Sequence, residues 1–243
     1  MLIDKEMRLA EIIHHDYTLL PVINRFDMHL GVGDKTIAAM CDEKGVNVDF
    51  FLTVINTFHD NQYFPEQHLK QFPARMLVSY LKQTHRYYLE QELPAIETQI
   101  ENMEKNCAVK GDTLILLLNF FKEYSRELIH HIKREEEVVY PYILALEKSI
   151  ELRKATGDLN AKMKNYTITN YKQEHENVEE KLFDLKNLII KYLPETRNDS
   201  YCHTVLRELF GLEHDLNNHS RIENLILLPK VEDMEQLYKQ ITG

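Results

Sequence analysis

The 243-residue sequence contains no tryptophan, only seven glycines and seven prolines, and three cysteines. So little glycine and proline disfavours a fold of many strands and tight turns, and a hydrophobic content of 44% can fill a core. The cysteines, at positions 41, 107 and 202, are odd in number and widely spaced, so they indicate neither a disulfide framework nor a zinc–thiolate site. We therefore predict an all-α protein whose cysteines serve as small buried apolar side chains.

Long apolar runs and an excess of positive charge are also absent from the sequence. The longest apolar run, LILLLNFF, is too short to span a bilayer, and charged residues interrupt the amino terminus where a secretory signal needs an apolar stretch. A net charge of -10 is unfavourable for binding a polyanion. We expect a cytoplasmic protein that binds neither nucleic acid nor membrane.

Amphipathic periodicity divides the chain into two predicted parts. Residues 1–65 have the pattern of several short helices, with a tight turn at Gly31 and Gly33. Beyond Pro65 the chain is predicted to form four long helices, and three prolines inside or near the ends of these helices are predicted to bend or end them. The long helices span about 74–105, 113–148, 160–192 and 199–239, and the prolines are Pro94, Pro141 and Pro229. We predict a small amino-terminal helical module, 1–65, followed by an antiparallel four-helix bundle, 66–243.

One motif, His-x3-Glu-x5-Pro, occurs twice in the long helices. The first copy, HIKREEEVVYP, begins at His131, and the second, HSRIENLILLP, begins at His219. Residues four apart lie on one face of a helix, so each copy aims an imidazole and a carboxylate at the same point. A further histidine precedes each copy, His85 by 46 residues and His175 by 44. The six candidate metal ligands are His85, His131, Glu135, His175, His219 and Glu223.

These candidates lie on the predicted core-facing stripes of their helices. Two inward carboxylates and four inward imidazoles with no cation on the same stripes are costly to bury unless a metal supplies the positive charge. Imidazole with carboxylate suits iron, manganese or zinc, and six ligands fit two ions better than one. His130 and His214 are predicted to lie off the stripes, and Glu179 to be a surface charge. The stripe on the second helix comprises Tyr124, Leu128, His131, Glu135, Val138 and Tyr142.

At these residues the chain resembles the hemerythrin-like superfamily, and within it the RIC proteins, named for repair of iron centres. The matching segments are THRYYLEQELP, HHIKREEEVVYP, QEHENVEEKL and NHSRIENLILLP. The resemblance implies two iron ions with an oxo or hydroxo bridge. It also implies that the four histidines are terminal ligands and that Glu135 and Glu223 bridge the ions.

The amino-terminal segment RFDMHLGVGDKTIAAMCDEKGVNVDFFLTVINTF is similar to the short domain that precedes the bundle in RIC proteins. The chain departs from that family in the turn, where RIC proteins carry a Cys-Cys pair and this sequence has Gly31 and Val32. A role that depends on those thiols is therefore not implied for this chain.

The resemblance implies repair of iron–sulfur clusters under oxidative or nitrosative stress, either by donating iron or by reacting with nitric oxide. One alternative is a module that reversibly binds or senses dioxygen or nitric oxide. A second is a di-iron oxidative enzyme, which is disfavoured because ferritin-like enzymes place Glu-x-x-His on their helices. We expect a repair or gas-binding protein rather than a multi-turnover enzyme. Its expected partners are dioxygen, nitric oxide and iron–sulfur proteins, and the choice between monomer and homodimer is left open.

Overall fold

The computed structural model describes residues 2–106, 112–154, 159, 168, 179–193 and 200–242. These residues form helices and turns and contain no β-strand, apart from one isolated backbone bridge between Arg8 and Thr36. The all-α prediction is therefore confirmed. In the same residues, no helix is both long enough and apolar enough to cross a membrane. Cys107 and His175 lie outside the described residues.

Five short helices and one 3-10 turn occupy the first seventy residues. The predicted tight turn is present, because the backbone φ angles of Gly31 and Gly33 are 97° and 60°. Polar side chains begin the next two helices: Thr36 accepts a hydrogen bond from the amide of Ala39, and Asn47 from that of Phe50. The short helices are α1 (Leu9–His15), α2 (Leu20–Asn24), α3 (Ile37–Lys44), α4 (Val48–His59) and α5 (Glu66–Leu69), with the 3-10 turn at Tyr17–Leu19.

Among the described residues, the long helices occur where the periodicity predicted them, and each contains one π-turn, in which the backbone hydrogen bonds span five residues instead of four. The prolines at 94, 141 and 229 do not end their helices, which continue through the π-turns. The third predicted helix, 160–192, is helical where it is described, at Ile168 and over 179–192. The segments are α6 (Ala74–Tyr87), π1 (Tyr88–Glu92), α7 (Leu93–Asn106), α8 (Asp112–Arg134), π2 (Glu135–Val139), α9 (Tyr140–Glu151), α10 (Glu179–Asn187), π3 (Leu188–Tyr192), α11 (Ser200–Ile222), π4 (Glu223–Leu227) and α12 (Leu228–Thr242).

The chain divides into two compact units. The first unit comprises Met1–Tyr87, Ile143–Thr156 and Asn218–Gly243, and the second comprises Tyr88–Tyr142 and Gly157–Asn217. The short amino-terminal helices thus share a unit with α6. The predicted boundary near residue 66 stays a prediction.

An aromatic cluster forms part of the core of the first unit. The ring of Phe26 lies 5.0 Å from that of Phe51 on α4 and 5.4 Å from that of Tyr80 on α6, measured between centroids. The hydroxyl of Tyr80 also accepts a hydrogen bond, at 3.2 Å, from the buried guanidinium of Arg25. These contacts fix α6, which carries the first candidate ligand, against the amino-terminal helices.

A carboxylate that is distant in the sequence caps the start of α6. Oε1 and Oε2 of Glu147, on α9, accept hydrogen bonds from the backbone amides of Ala74 at 2.6 Å and of Arg75 at 3.1 Å. Helix amides in the first turn have no partner within the helix, and a negative charge there is favourable. Glu147 therefore supplies the cap that the sequence before Ala74 does not.

In the second unit, α8 packs against α7 and against α10. A partly buried ion pair joins Lys186 on α10 to Glu213 on α11, and the same ammonium group lies 4.2 Å from the ring centroid of Phe210. Lys181 on α10 also pairs with Glu127 on α8. These contacts hold α10 and α11 in this unit beside α8, which carries the first copy of the motif.

Candidate metal centre

The first unit brings three of the predicted ligands together. His85, in the last turn of α6, is fully buried, and its ring centroid lies 5.0 Å from that of His219 on α11. Nε2 of His219 lies 3.8 Å from Oε2 of Glu223, the first residue of π4. The carboxylate of Glu223 is 1% exposed. Two imidazoles and one carboxylate therefore form a buried cluster in this unit.

The second unit contains the other two predicted ligands that lie within the described residues. His131 lies in the last turn of α8, and Glu135 is the first residue of π2. The Nε2 atom of His131 is 3.0 Å from Oε1 of Glu135, as the four-residue spacing predicts. The side chain of Glu135 is fully buried and that of His131 is 16% exposed.

These five residues make up two candidate metal-binding groups. Two groups of three His and Glu side chains that could hold a metal ion occur among the described residues, and these five ligands are their only members. Buried carboxylates need a nearby positive charge, and imidazole nitrogens with carboxylate oxygens are donors that iron, manganese and zinc accept. The residues therefore fit a bound metal. The sixth predicted ligand, His175, lies outside the described residues.

The histidines that were not predicted to be ligands are not part of these groups. His130 and His214 are exposed, as their positions off the stripes predict. Two others pair with single carboxylates in the amino-terminal helices: Nδ1 of His59 lies 2.8 Å from Asp16, and Nε2 of His68 lies 3.0 Å from Asp49. The side chain of Glu179 lies outside the described ones, so its surface position stays a prediction.

The π-turns at the ligands are the feature that periodicity missed. The sequence predicted that Val138 faces the core, and this is wrong: Val138 is 50% exposed, whereas Val139 is 2% exposed. The reason is that a π-turn contains about one residue more than an α-turn, so the residues after Glu135 are shifted in phase. The signal that could have revealed this is the proline that ends each copy of the motif.

The amino-terminal turn offers no replacement for the thiol pair. Gly31 has a φ of 97°, which side-chain-bearing residues rarely adopt, and Val32 is buried. The nearest cysteine in sequence, Cys41, is 1% exposed, and burial raises its pKa to about 11. A thiol with such a pKa is almost entirely protonated near neutral pH and is a poor nucleophile.

Comparison with known proteins gives one family match and several relatives. The model of the family described as Hemerythrin HHE cation binding domain matches residues 76–231, a range that contains all six predicted ligands. The iron-sulfur cluster repair protein ScdA of Staphylococcus haemolyticus (strain JCSC1435) is 20% identical over 200 residues, which cover 82% of this chain and 85% of that protein. The protein of the same name from Staphylococcus epidermidis (strain ATCC 12228 / FDA PCI 1200) is 18% identical over the same shares.

Proposed function

This chain belongs to the hemerythrin HHE cation-binding domain family, and from that premise we propose that it is a non-haem di-iron protein that repairs iron–sulfur clusters. The family match gives a hemerythrin-like all-α bundle and cation binding. Two kinds of observation support the finer proposal. The relatives named above are iron–sulfur cluster repair proteins that align over 82% of this chain. The buried His and Glu clusters have the donor atoms that iron accepts.

We propose a ligand assignment in which the histidines are terminal and the two motif glutamates bridge. Within its own unit, each of these glutamates is a buried carboxylate beside the histidine of its motif copy, which supports a role for both in binding metal. If two iron ions were bound there, these residues would hold them and would leave positions open for small molecules. The proposed ligands are His85, His131, His175, His219, Glu135 and Glu223.

The iron pair, when bound, supplies iron that can be transferred and open positions for small diatomic molecules such as dioxygen and nitric oxide. The protein's own contribution is to hold the ions in a dry, charged interior. The carboxylates of Glu135 and Glu223 compensate the charge of the ions, and their burial strengthens that interaction. Leu128 and Ile222, on the same helices, are at most 2% exposed, so these parts of the helices are shielded from water.

The proposed setting is the cytoplasm under oxidative or nitrosative stress. There the protein would give iron, as cargo, to a damaged cluster, or would react with nitric oxide at the open positions. The net charge of -10 favours protein partners over nucleic acid. Iron–sulfur proteins are therefore the proposed macromolecular partners.

The first experiment is purification under low oxygen, with iron per chain measured by elemental analysis and the visible spectrum recorded after exposure to air. About two irons and an oxo-bridged diferric spectrum are expected. Stably folded protein that binds no iron would refute the metal site and with it the proposed repair role.

The second experiment adds the iron-loaded protein to a [4Fe–4S] enzyme that has been inactivated by peroxide or by nitric oxide. Recovery of activity is expected to track loss of iron from the repair protein, beyond the recovery given by the same amount of free ferrous iron. The variant His219→Ala should give no such recovery, whereas His214→Ala, which changes an exposed histidine on the same helix, should match the wild type.

Two other outcomes would replace the repair proposal. Reversible dioxygen or nitric oxide binding, without iron transfer or recovery of the damaged enzyme, would indicate a gas-binding module. Multi-turnover oxidation of ferrous iron or of peroxide would indicate an oxidative enzyme.

A further inference from the structure

Each π-turn in the described part of the chain begins six residues before a proline. The other three prolines of the sequence are at or before the starts of short or long helices: Pro21 in the first turn of α2, Pro65 before α5 and Pro73 before α6. The described π-turns therefore accompany prolines that follow a helical segment in sequence, not prolines that precede a helix or lie in its first turn. The pairs of first π-turn residue and proline are Tyr88 and Pro94, Glu135 and Pro141, Leu188 and Pro194, and Glu223 and Pro229, of which Pro194 lies outside the described residues.

Proline chemistry explains this spacing. A proline inside a helix has no N–H to donate, and its ring collides with the carbonyl four residues earlier. In the structure, the residue before Pro141 donates its amide to a carbonyl five residues earlier, that of Glu135. The residue before Pro229 does the same to the carbonyl of Glu223. The helix widens at both places, and the proline ring is accommodated without ending the helix.

The first long helix separates the effect of the proline from that of the carboxylate. Its π-turn begins at Tyr88, a buried residue with no carboxylate, and Pro94 follows at the same distance as in the motif. The π-turn thus accompanies the proline whether or not a glutamate stands at its first position. A glutamate at the first position is therefore not required for the π-turn.

We propose that Pro141 and Pro229 are positioning residues for the two buried carboxylates of the motif. Each proline imposes a π-turn that starts at Glu135 or Glu223, and the turn fixes both the direction of that carboxylate and the phase of the helix beyond it. The phase change in π2 is seen in two side chains: Val138, which was predicted to face the core, is exposed, and Val139 is buried. The inference rests on the proposed metal site, because the benefit of the arrangement is realised when the carboxylates bind metal.

A trade-off between stability and binding follows. A proline and a π-turn within a long helix are less favourable than an unbroken α-helix. Replacing the proline by alanine should therefore raise the melting temperature of the metal-free protein while weakening its hold on iron. If the proline had only a structural role, its replacement would change the melting temperature without an opposite change in iron binding.

The experiment compares the full-length variants Pro141→Ala and Pro229→Ala with the control Pro73→Ala, in which the proline lies outside a helix. Crystal structures of the metal-free proteins show whether the carbonyl of the glutamate accepts from the amide four or five residues later. Iron retention is measured by competition with a chelator, and the visible spectrum of the remaining iron is recorded.

The expected result is a four-residue hydrogen bond at the changed site, a higher melting temperature without metal, and at least a roughly tenfold lower chelator concentration for half-removal of iron. The control should match the wild type. A retained π-turn in both variants, or iron retention equal to wild type after the π-turn is lost, would overturn the inference. Wild-type protein that binds no iron would instead refute the proposed function, and the structures would still decide whether the prolines set the π-turns. Because the two prolines lie in different helices, misfolding of one variant leaves the other to decide.

Discussion

Nε2 of His131 lies 3.0 Å from Oε1 of Glu135, one turn further along the same helix. The pair joins the end of a regular α-helix to the start of a π-turn. Because the carboxylate is fully buried and the imidazole is partly exposed, the imidazole side is the more accessible part of this pair. The relationship gives the first of four predictions.

Replacing His131 by alanine should remove iron while leaving the helices in place. The side chain supplies a ligand atom to one of the two candidate groups, and its loss creates little strain because it is partly exposed. Iron per chain is expected to fall from about two to one or fewer, with the far-ultraviolet circular dichroism unchanged. The matched control is His130→Ala, which removes the exposed neighbouring histidine and should keep all the iron. Full retention of iron in both variants would contradict the ligand assignment.

Replacing Glu135 by glutamine should remove most of the stabilisation that iron gives the protein. A ligand that binds only the folded state at a hundred times its Kd raises the free energy of unfolding by about 2.7 kcal/mol. The amide of glutamine is neutral and a weaker bridging ligand than a carboxylate, so the difference between iron-loaded and metal-free melting temperatures should largely disappear.

The control for this prediction is Glu137→Gln, which changes an exposed glutamate two residues away that lies 3.8 Å from Lys133. It should keep the full difference between the two melting temperatures. Equal differences in the two variants would mean that burial of Glu135 has a structural cause unrelated to metal.

Replacing Glu147 by alanine should destabilise the protein through the start of α6. The carboxylate accepts hydrogen bonds from the amides of Ala74 and Arg75, and its loss leaves both without that partner. Loss of a helix cap costs about 0.5–2 kcal/mol, so the free energy of unfolding should fall by up to about 2 kcal/mol. Denaturation by urea measures this change. Glu151→Ala, which removes a half-exposed carboxylate one turn later, should cost much less.

Cys41 should resist thiol reagents until the protein unfolds. Burial raises its pKa from 9.0 to about 11, so the folded protein holds the proton over this range while the unfolded chain loses it. The stability from the buried thiol is therefore fully present below pH 9 and is lost as the pH rises toward about 11. In a protein that also carries Cys107→Ser and Cys202→Ser, labelling at about pH 8 should follow the unfolding transition. Rapid labelling of the folded protein would show that this thiol is reactive after all.

The long helices and the candidate ligands could be predicted because both depend on residues only a few positions apart. Apolar residues at spacings of three and four gave the helices, and the four-residue spacing of His131 and Glu135 gave a shared face, which the structure has. The repeated motif and the histidine that precedes its first copy identified five residues that the structure places in groups able to hold a metal ion. The assignment of all six as iron ligands stays a prediction, because His175 lies outside the described residues.

The phase of the helix beyond each glutamate could not be predicted in this way. A constant α-helical period predicted that Val138 faces the core. Because of the π-turn, Val139 is buried instead and Val138 is exposed. Pro141 was interpreted as a bend or an end of the helix, since a proline in a helix can kink it, break it or be accommodated by a wider turn. The sequence alone did not indicate which of these outcomes applies, and in the structure it is the wider turn.

By itself, then, the sequence determined that this protein is all-α and which His and Glu residues repeat with metal-ligand spacing. Only the tertiary structure decided the burial of Glu135 and Glu223, the contact of the His85 and His219 rings, and the cap that Glu147 provides for α6. The physical reason is the range of the interactions. Helix period and motif spacing are set by neighbours along one turn, whereas burial, ring contacts and a cap from 73 residues away arise only when distant segments pack together.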